Sequence, residues 1–363
     1  MWAVNVVACV STSRPAPRDG ANEVREYLGS QTHAATTPDA ISRDPQIAWR
    51  ADVGHGTVGA PAVGERISVV ATVDRWVYAF DTRSGQTYWR YRSDGPYGTG
   101  PLIDGGRVYA ASEGRDGFLV ALNLYTGRRV WRKAAGDVAG PLVIRDSVLF
   151  GVTQLGGVAF AIGTGRGQTL WTRKVGPARS GVALAGRHVV VATLTDTLFV
   201  IDAAKGTVVT RTPLEGSTVA AITLANDSTA ILASPAGSVT AVAIPGGRVR
   251  WRVTTDGAVF GAAVVAGDTA FALTNRCTLW TIPLARPAAA TSVPIGCVTV
   301  AGPTVVRGGV LVATVRGEVL LFDRATRTTV WSRQLEGEIR HPPILRDRQL
   351  VVAPITGKVV SFR

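Results

Sequence analysis

The sequence predicts an all-β fold, an eight-bladed β-propeller of four-stranded blades, and three observations carry that expectation. Six tryptophans, Trp49, Trp89, Trp131, Trp171, Trp251 and Trp331, stand 40, 42, 40, 80 and 80 residues apart, so a unit of about 40 residues repeats and two copies lack the tryptophan. Each unit divides into short apolar or alternating runs separated by glycine-rich turns, which is the pattern of strands. The last unit is one strand short, and a matching strand lies at the opposite end of the chain.

The unit near Thr99 shows the elements in order. Gly-Pro-Leu-Ile-Asp-Gly-Gly-Arg-Val-Tyr-Ala-Ala from Gly100 holds two strands and the turn between them. Gly-Phe-Leu-Val-Ala-Leu-Asn from Gly117 is the third, and Tyr-Thr-Gly-Arg-Arg-Val-Trp from Tyr125 turns into the fourth, which carries Trp131. Four such strands make one propeller blade. Complete units begin near Gly59, Thr99, Ala139, Ser180, Ala220, Gly261 and Ala301, and an eighth runs from His341 to Arg363 with only three strands. Ile47-Ala48-Trp49-Arg50 matches Thr87-Tyr88-Trp89-Arg90 and is predicted to complete the last blade, which removes the exposed edge of an open array. Seven blades are the alternative if one weak unit collapses. No segment has a helical period apart from a short turn around 23–28.

The formal charge of +13 comes from 39 basic and 26 acidic residues, and only four of the bases are lysine. Arg90, Arg92, Arg132, Lys133, Arg173, Lys174, Arg252 and Arg333 follow the tryptophans, so they ride on the outermost strand of each blade. Charge there discourages edge-to-edge pairing with other sheets, and a solvated rim is the expected reading, with attraction to anionic lipid as the alternative. No clustered patch or aromatic stripe suited to nucleic acid is visible, so no nucleic-acid partner is expected. No run of 18 apolar residues exists to span a membrane as a helix.

Three cysteines remain. Val6-Val7-Ala8-Cys9 resembles a bacterial lipobox, in which Cys9 would carry the lipid. The eight residues before it contain no Lys or Arg, where a full signal peptide has a basic start and a longer apolar core. The expected organisation is therefore a partial lipoprotein signal at 1–9, a flexible tether at 10–45 rich in Ser, Thr, Pro and Ala, and the propeller at 46–363. Cys277 opens the predicted third strand of the sixth unit and Cys297 ends its fourth, so the hairpin brings them face to face. A disulfide there would clamp a blade that lacks its tryptophan, with two buried thiols as the alternative. A disulfide and a lipobox both point to the periplasm.

Phrases such as Tyr78-Ala79-Phe80-Asp81 through Ser84-Gly85 to Trp89 resemble the PQQ-like, quinoprotein-type β-propeller repeat, and the layout is most similar to the BamB lipoproteins of outer-membrane protein assembly. The ends carry the likeness best, at Ala48-Trp49-Arg50-Ala51-Asp52-Val53-Gly54 and Gly357-Lys358-Val359-Val360-Ser361-Phe362-Arg363. The resemblance implies tryptophans packed between blades against the glycine of a turn. It also implies a lipid-anchored scaffold on the periplasmic face of the outer membrane, monomeric within a complex. Its partners would be a BamA-like barrel protein and nascent outer-membrane proteins. Contact with the barrel protein maps to two loops here, 175–181 with Arg179 and 214–218 with Glu215. The first lacks the family's leucines; the second is shorter and keeps one acid of an acidic pair.

The quinoprotein likeness raises a dehydrogenase, with a quinone cofactor and Ca²⁺. A hard cation needs several oxygen ligands at one place, whereas Asp81, Asp202 and Asp323 recur at the same turn position, which marks a structural role. The adjacent cysteine pair of many such enzymes is missing. No enzyme activity, cofactor or metal is expected, and a sensor or binding module for another envelope partner or small ligand is the alternative function. His33, His55, His188 and His341 lack an evident ligand set, and no Walker loop, HExxH or GxSxG motif is present. The loops Asp94-Gly95-Pro96-Tyr97-Gly98 and Asp256-Gly257-Ala258-Val259-Phe260 each place one aromatic among flexible residues, either as an interface anchor or tucked against the next blade.

Overall fold

The computed structural model describes residues 10–12, 36–54, 56–114, 116–138 and 140–363. Cys9, His33, His55 and the short turn expected around 23–28 lie outside them. The described chain folds into eight antiparallel sheets. Blade 1 contains Thr57–Val63, Ile67–Thr72, Trp76–Asp81 and Thr87–Arg92, and blades 2 to 7 follow with the same up-and-down order. In blade 8, Ile344–Arg346, Gln349–Val352 and Lys358–Phe362 are joined by Ile47–Asp52 from the other end of the chain, with Arg50 opposite Val360. The eight-bladed closure expected from the repeat is therefore present. Two backbone bonds between Gln46 and Arg363, each 2.9 Å, finish the seam.

The inner strands are buried on both faces, which is why they read as continuous apolar runs such as Ile67–Thr72 and His188–Ala192. The outermost strands alternate, as in Arg129–Ala134 and Thr169–Lys174, because one side packs on the next blade and the other meets water. In seven blades a β-bulge falls on the residue before the tryptophan position. A bulge locally bends and twists a strand. Here it turns the tryptophan toward the neighbouring blade and leaves Val130, Leu170 and Val209 outside, all exposed. Blade 6 pairs its last two strands without a register shift.

The segment before the ring is also engaged. Val10–Thr12 pairs antiparallel with the edge of Thr87–Arg92, and Thr36 bridges to Val305. Asp39 accepts from the Arg307 backbone through its carbonyl (3.0 Å) and from the Asp347 backbone through its carboxylate (2.9 Å), while Ile41 is buried among residues of blades 7 and 8.

Turns between the first and second strands, and between the third and outermost strands, lie on one face of the ring, here called the turn face. The opposite, connection face carries the loops between second and third strands and the links from one blade to the next. Among the described residues no helix is long and apolar enough to cross a membrane.

Candidate partner-binding face

Four of the repeat tryptophans share one geometry. Nε1 of Trp49, Trp89, Trp131 and Trp171 donates to the carbonyls of Thr82, Leu124, Thr164 and Ala203 in the next blade, at 2.7–2.8 Å. Their rings cover Gly85, Gly127, Gly167 and Gly206 so closely that a Cβ would fall within 2.6–2.9 Å of the indole. Trp251 packs instead near Leu284 and Ala290, beside the short 3₁₀ turn Pro287–Ala289 that replaces the glycine turn in blade 6. Trp331 faces blade 8, where strands from opposite chain ends meet without a turn, and its buried Nε1 has no hydrogen-bond partner among the described residues. Blade 4 has Thr210 at the tryptophan position, and Gly247 of blade 5 lies over Thr210 and Thr212.

These contacts lock neighbouring blades together at the turn face, and the closed ring carries the connection-face loops as a platform. The loop 175–181 is tied down by the Ala178 amide on the Gln154 carbonyl (3.0 Å) and the Leu194 amide on the Pro177 carbonyl (2.7 Å). Arg179 is exposed. With its oxygen turned to the guanidinium, the Gln154 amide accepts from Arg179 Nε and Nη2 at 2.8 and 2.7 Å. Glu215 in the loop 214–218 is also exposed and ion-pairs with Arg252, whose Nε donates to Thr240 (3.2 Å). Both residues expected to meet a partner thus already have partners inside the ring.

The structure separates the two aromatic loops. Tyr97 is fully buried between blades 1 and 2, edge-on to Phe118 with ring centroids 6.3 Å apart. Phe260 is 40% exposed. Its loop is anchored by Asp256, whose carboxylate accepts from Thr278 Oγ1 (2.6 Å) and Trp280 Nε1 (2.8 Å). Burial pushes the Asp256 pKa up, but these hydrogen bonds prevail and hold it below the usual carboxylate value.

Sequence reading missed a concavity between two blades. A cavity of about 780 Å³ opens between blades 2 and 3, lined by Glu113, Lys133, Leu155, Phe160, Thr169 and Thr172 among others. Leu155 stands at its lip, 73% exposed, on a loop that the Asp137 carboxylate holds through the Leu155 amide (2.9 Å). Gln154 also lines the cavity, which places Arg179 next to it. A volume of this size, largely apolar with a few polar groups, fits a peptide segment or a small ligand. No local sequence signal marks it, because its wall comes from two blades.

Cys277 and Cys297 are disulfide-bonded, with Cα atoms 5.1 Å apart. The Ile295 amide donates to the Cys277 carbonyl (2.9 Å) at the mouth of the same hairpin. His188 is buried at the start of a blade 4 strand. His341 Nε2 accepts from the Gly59 amide (3.0 Å), tying the link into blade 8 to the start of blade 1. Burial, and then Arg340 beside it, push the His341 pKa down to about 4.

The ligand set of a quinone-dependent centre is not assembled. Among the described residues no three His, Cys, Asp or Glu side chains converge on a metal position. Asp81, Asp202 and Asp323 each accept two backbone amides of their own turn at 2.8–3.0 Å. These three carboxylates are thus committed to their own turns.

Comparison with known proteins gives a consistent picture. The family model described as outer membrane protein assembly factor BamB matches residues 39–166, 154–282 and 269–363. The outer membrane protein assembly factor BamB of Burkholderia pseudomallei (strain K96243) is 27% identical over 256 residues, which is 65% of this chain and 66%, just under two thirds, of that protein. The crystal structure of BamB from Moraxella catarrhalis superposes with a TM-score of 0.74 at 15% identity, covering 88% of this chain and all of that one. Quinohemoprotein alcohol dehydrogenase ADHIIG from Pseudomonas putida HK5 superposes with a TM-score of 0.76 at 12% identity, covering 97% and 83%. At these identities the structural likenesses show the shared propeller fold alone.

Proposed function

This chain belongs to the family of outer membrane protein assembly factor BamB, and from that membership we propose that it is a non-catalytic scaffold in assembly of outer-membrane β-barrel proteins. The family match over nearly the whole ring carries this reading. In the chain itself, the connection face of blades 2 to 5 supports it, with the cavity, the exposed Leu155 and the braced Arg179 and Glu215 side by side. A rigid ring of this kind works by mass action: it holds a partner's mobile domains close to a nascent chain. The partner is a BamA-like barrel protein, and the interface centres on Leu155, since an exposed apolar side chain beside a concavity is a favourable anchor.

The proposed location is the periplasmic face of the outer membrane, with Cys9 as lipid attachment. The Cys277–Cys297 bond supports an oxidising compartment. A dehydrogenase reading finds no support in Asp81, Asp202 and Asp323, which are engaged in their own turns.

The test is a mild-detergent pull-down of the full chain from its own membranes, read by mass spectrometry, beside Leu155→Glu and Arg179→Glu variants. Recovery of a large barrel protein with the parent chain, and its loss with Leu155→Glu, is the expected result. Recovery of only unrelated envelope proteins would sink the assembly role. Equal recovery with both variants would move the interface elsewhere.

A further inference from the structure

The two faces of the ring differ in charge. The turn from the third to the outermost strand carries an exposed base in blade after blade: Arg83, Arg128, Arg166, Lys205, Arg248 and Arg324 in blades 1 to 5 and 7. These turns lie at large radius, so the bases form an annulus. The carboxylates of the same turns, Asp81, Asp202 and Asp323, accept from backbone amides of their own turns while staying at the surface. The inner turns of this face carry mixed charge. The connection face carries mixed charge, with Asp74, Asp116, Asp196, Asp256 and Glu336 on its loops and links beside Arg75, Arg179, Arg276, Arg316 and Arg340. It also holds Val73, Leu155, Phe260 and Val298, whereas among the described residues no large apolar side chain is exposed in the turns of the opposite face.

Two further observations belong to the turn face. The segment leading into the ring crosses it, since Asp39 is bonded at Arg307 and Asp347 in the inner turns of blades 7 and 8. A cleft of about 300 Å³ opens there between blades 8 and 1, lined by Arg83, Arg346 and Arg363 together with Glu65 and Asp347.

We propose that the turn-face annulus docks onto the phosphate headgroups of an anionic lipid bilayer, leaving the connection face free for protein. The geometry favours a lipid surface over a nucleic-acid strand. Bases set one per blade around a ring meet a plane of phosphates together, while a strand would touch only an arc of them. With no large apolar side chain exposed in the turns themselves, the attachment is chiefly electrostatic and acts within a Debye length of the surface. Each base close to an anionic surface contributes about fivefold in affinity. The rim arginines of the outermost strands point sideways and several stack on aromatic rings, such as Arg90 and Arg92 on Trp76, so they contribute less. This inference does not depend on the assembly role proposed above.

The test uses the full chain with Cys9→Ser, so that no acyl group can hold it, and vesicles of phosphatidylcholine with or without phosphatidylglycerol. An annulus variant combines Arg83→Gln, Arg128→Gln, Arg166→Gln, Lys205→Gln and Arg248→Gln. A rim variant of equal net charge combines Arg50→Gln, Arg90→Gln, Arg92→Gln, Arg132→Gln and Arg211→Gln. Circular dichroism and melting confirm that each is folded. The expected result is salt-sensitive binding to the anionic vesicles alone, weakened at least about tenfold in the annulus variant and less than about threefold in the rim variant. Hydrogen exchange of the unsubstituted ring on vesicles should protect the turns near 83, 128 and 166, a readout that needs no variant. Equal loss in both variants, failure to bind anionic vesicles at low salt, or protection confined to the connection face overturns the proposal. Annulus-dependent binding to duplex DNA without vesicle binding overturns it in favour of nucleic acid.

Discussion

The indole of Trp89 and the backbone of Gly127 occupy adjoining blades and define each other. Nε1 of Trp89 donates to the Leu124 carbonyl at 2.7 Å, and the ring lies where a Cβ on Gly127 would come within 2.7 Å of it. Gly127 also has φ +67°, a left-handed conformation that side chains disfavour. Sequence, turn and blade-to-blade contact are linked at this one point, and the link repeats at Trp49, Trp131 and Trp171.

Gly127→Ala should therefore destabilise the ring by about 2–4 kcal/mol, the sum of backbone strain and overpacking. Gly105 is also left-handed, at φ +53°, but a Cβ there meets nothing within 4 Å. Gly105→Ala should cost only about 1–2 kcal/mol. Denaturant midpoints of the two variants give the comparison. Equal losses would show that the indole yields to the methyl group.

Trp89→Phe and Trp331→Phe should differ although both rings are buried. The first leaves the Leu124 carbonyl without its donor, while the second removes an indole N–H that has no partner. Trp89→Phe is expected to cost about 1–2 kcal/mol more. The measurement is urea unfolding of both proteins, and a larger loss at Trp331 would show that its indole N–H has an acceptor after all.

Acid should loosen the seam through His341. Its folded pKa of about 4 lies below the ordinary value of 6.5, so the unfolded chain binds the extra proton first. The contribution of the neutral ring is complete above pH 6.5 and is lost as pH falls from there to about 4. Protonation would remove the acceptor for the Gly59 amide and set a second positive charge beside Arg340. The loss is at most about 3 kcal/mol, because the ring is only half-buried and water screens part of the effect. His341→Gln keeps an acceptor without the titration, so its stability between pH 4 and 6.5 should be flatter. An unchanged slope would assign the pH dependence to other groups.

Reduction should weaken blade 6 more than its small size suggests. The Cys277–Cys297 bond closes a loop with a sequence separation of 20, which in the chain-entropy account contributes about 3 kcal/mol. That blade lacks both the tryptophan and the glycine turn used elsewhere. Melting with and without a reductant, with a Cys277→Ala/Cys297→Ala variant as control, should show a lowered transition in the first and no reductant effect in the second. A reductant-independent transition in the parent chain would exclude a bonded pair.

Much of the architecture was legible because the repeat is periodic. Trp49 to Trp171 mark outer strands by spacing alone, and Ile47–Asp52 could be matched to the incomplete last unit by its resemblance to Thr87–Arg92. The candidate face was less legible. Tyr97 and Phe260 sit in loops of similar composition, yet one is buried against Phe118 and the other is exposed. Arg179 was visible as a loop arginine, but its neighbour Gln154 comes from a different loop, and Glu215 meets Arg252 from the next blade. The outer-strand bases are legible as a rim from their spacing to the tryptophans, but the annulus of bases on one face is not, because turns at the two ends of a strand look alike in sequence.

The amino-acid sequence by itself determined the blade: where strands begin and turn, which residue crosses to the next blade, and that the two chain ends must pair. These follow from local rules, the alternation of strands and the need of tight turns for glycine. Only the tertiary structure decided which loops share a face, where the cavity between blades 2 and 3 opens, and how charge divides between the two sides of the ring. Those properties depend on residues about 40 or more positions apart meeting across blade boundaries, and no local periodicity encodes such a distance.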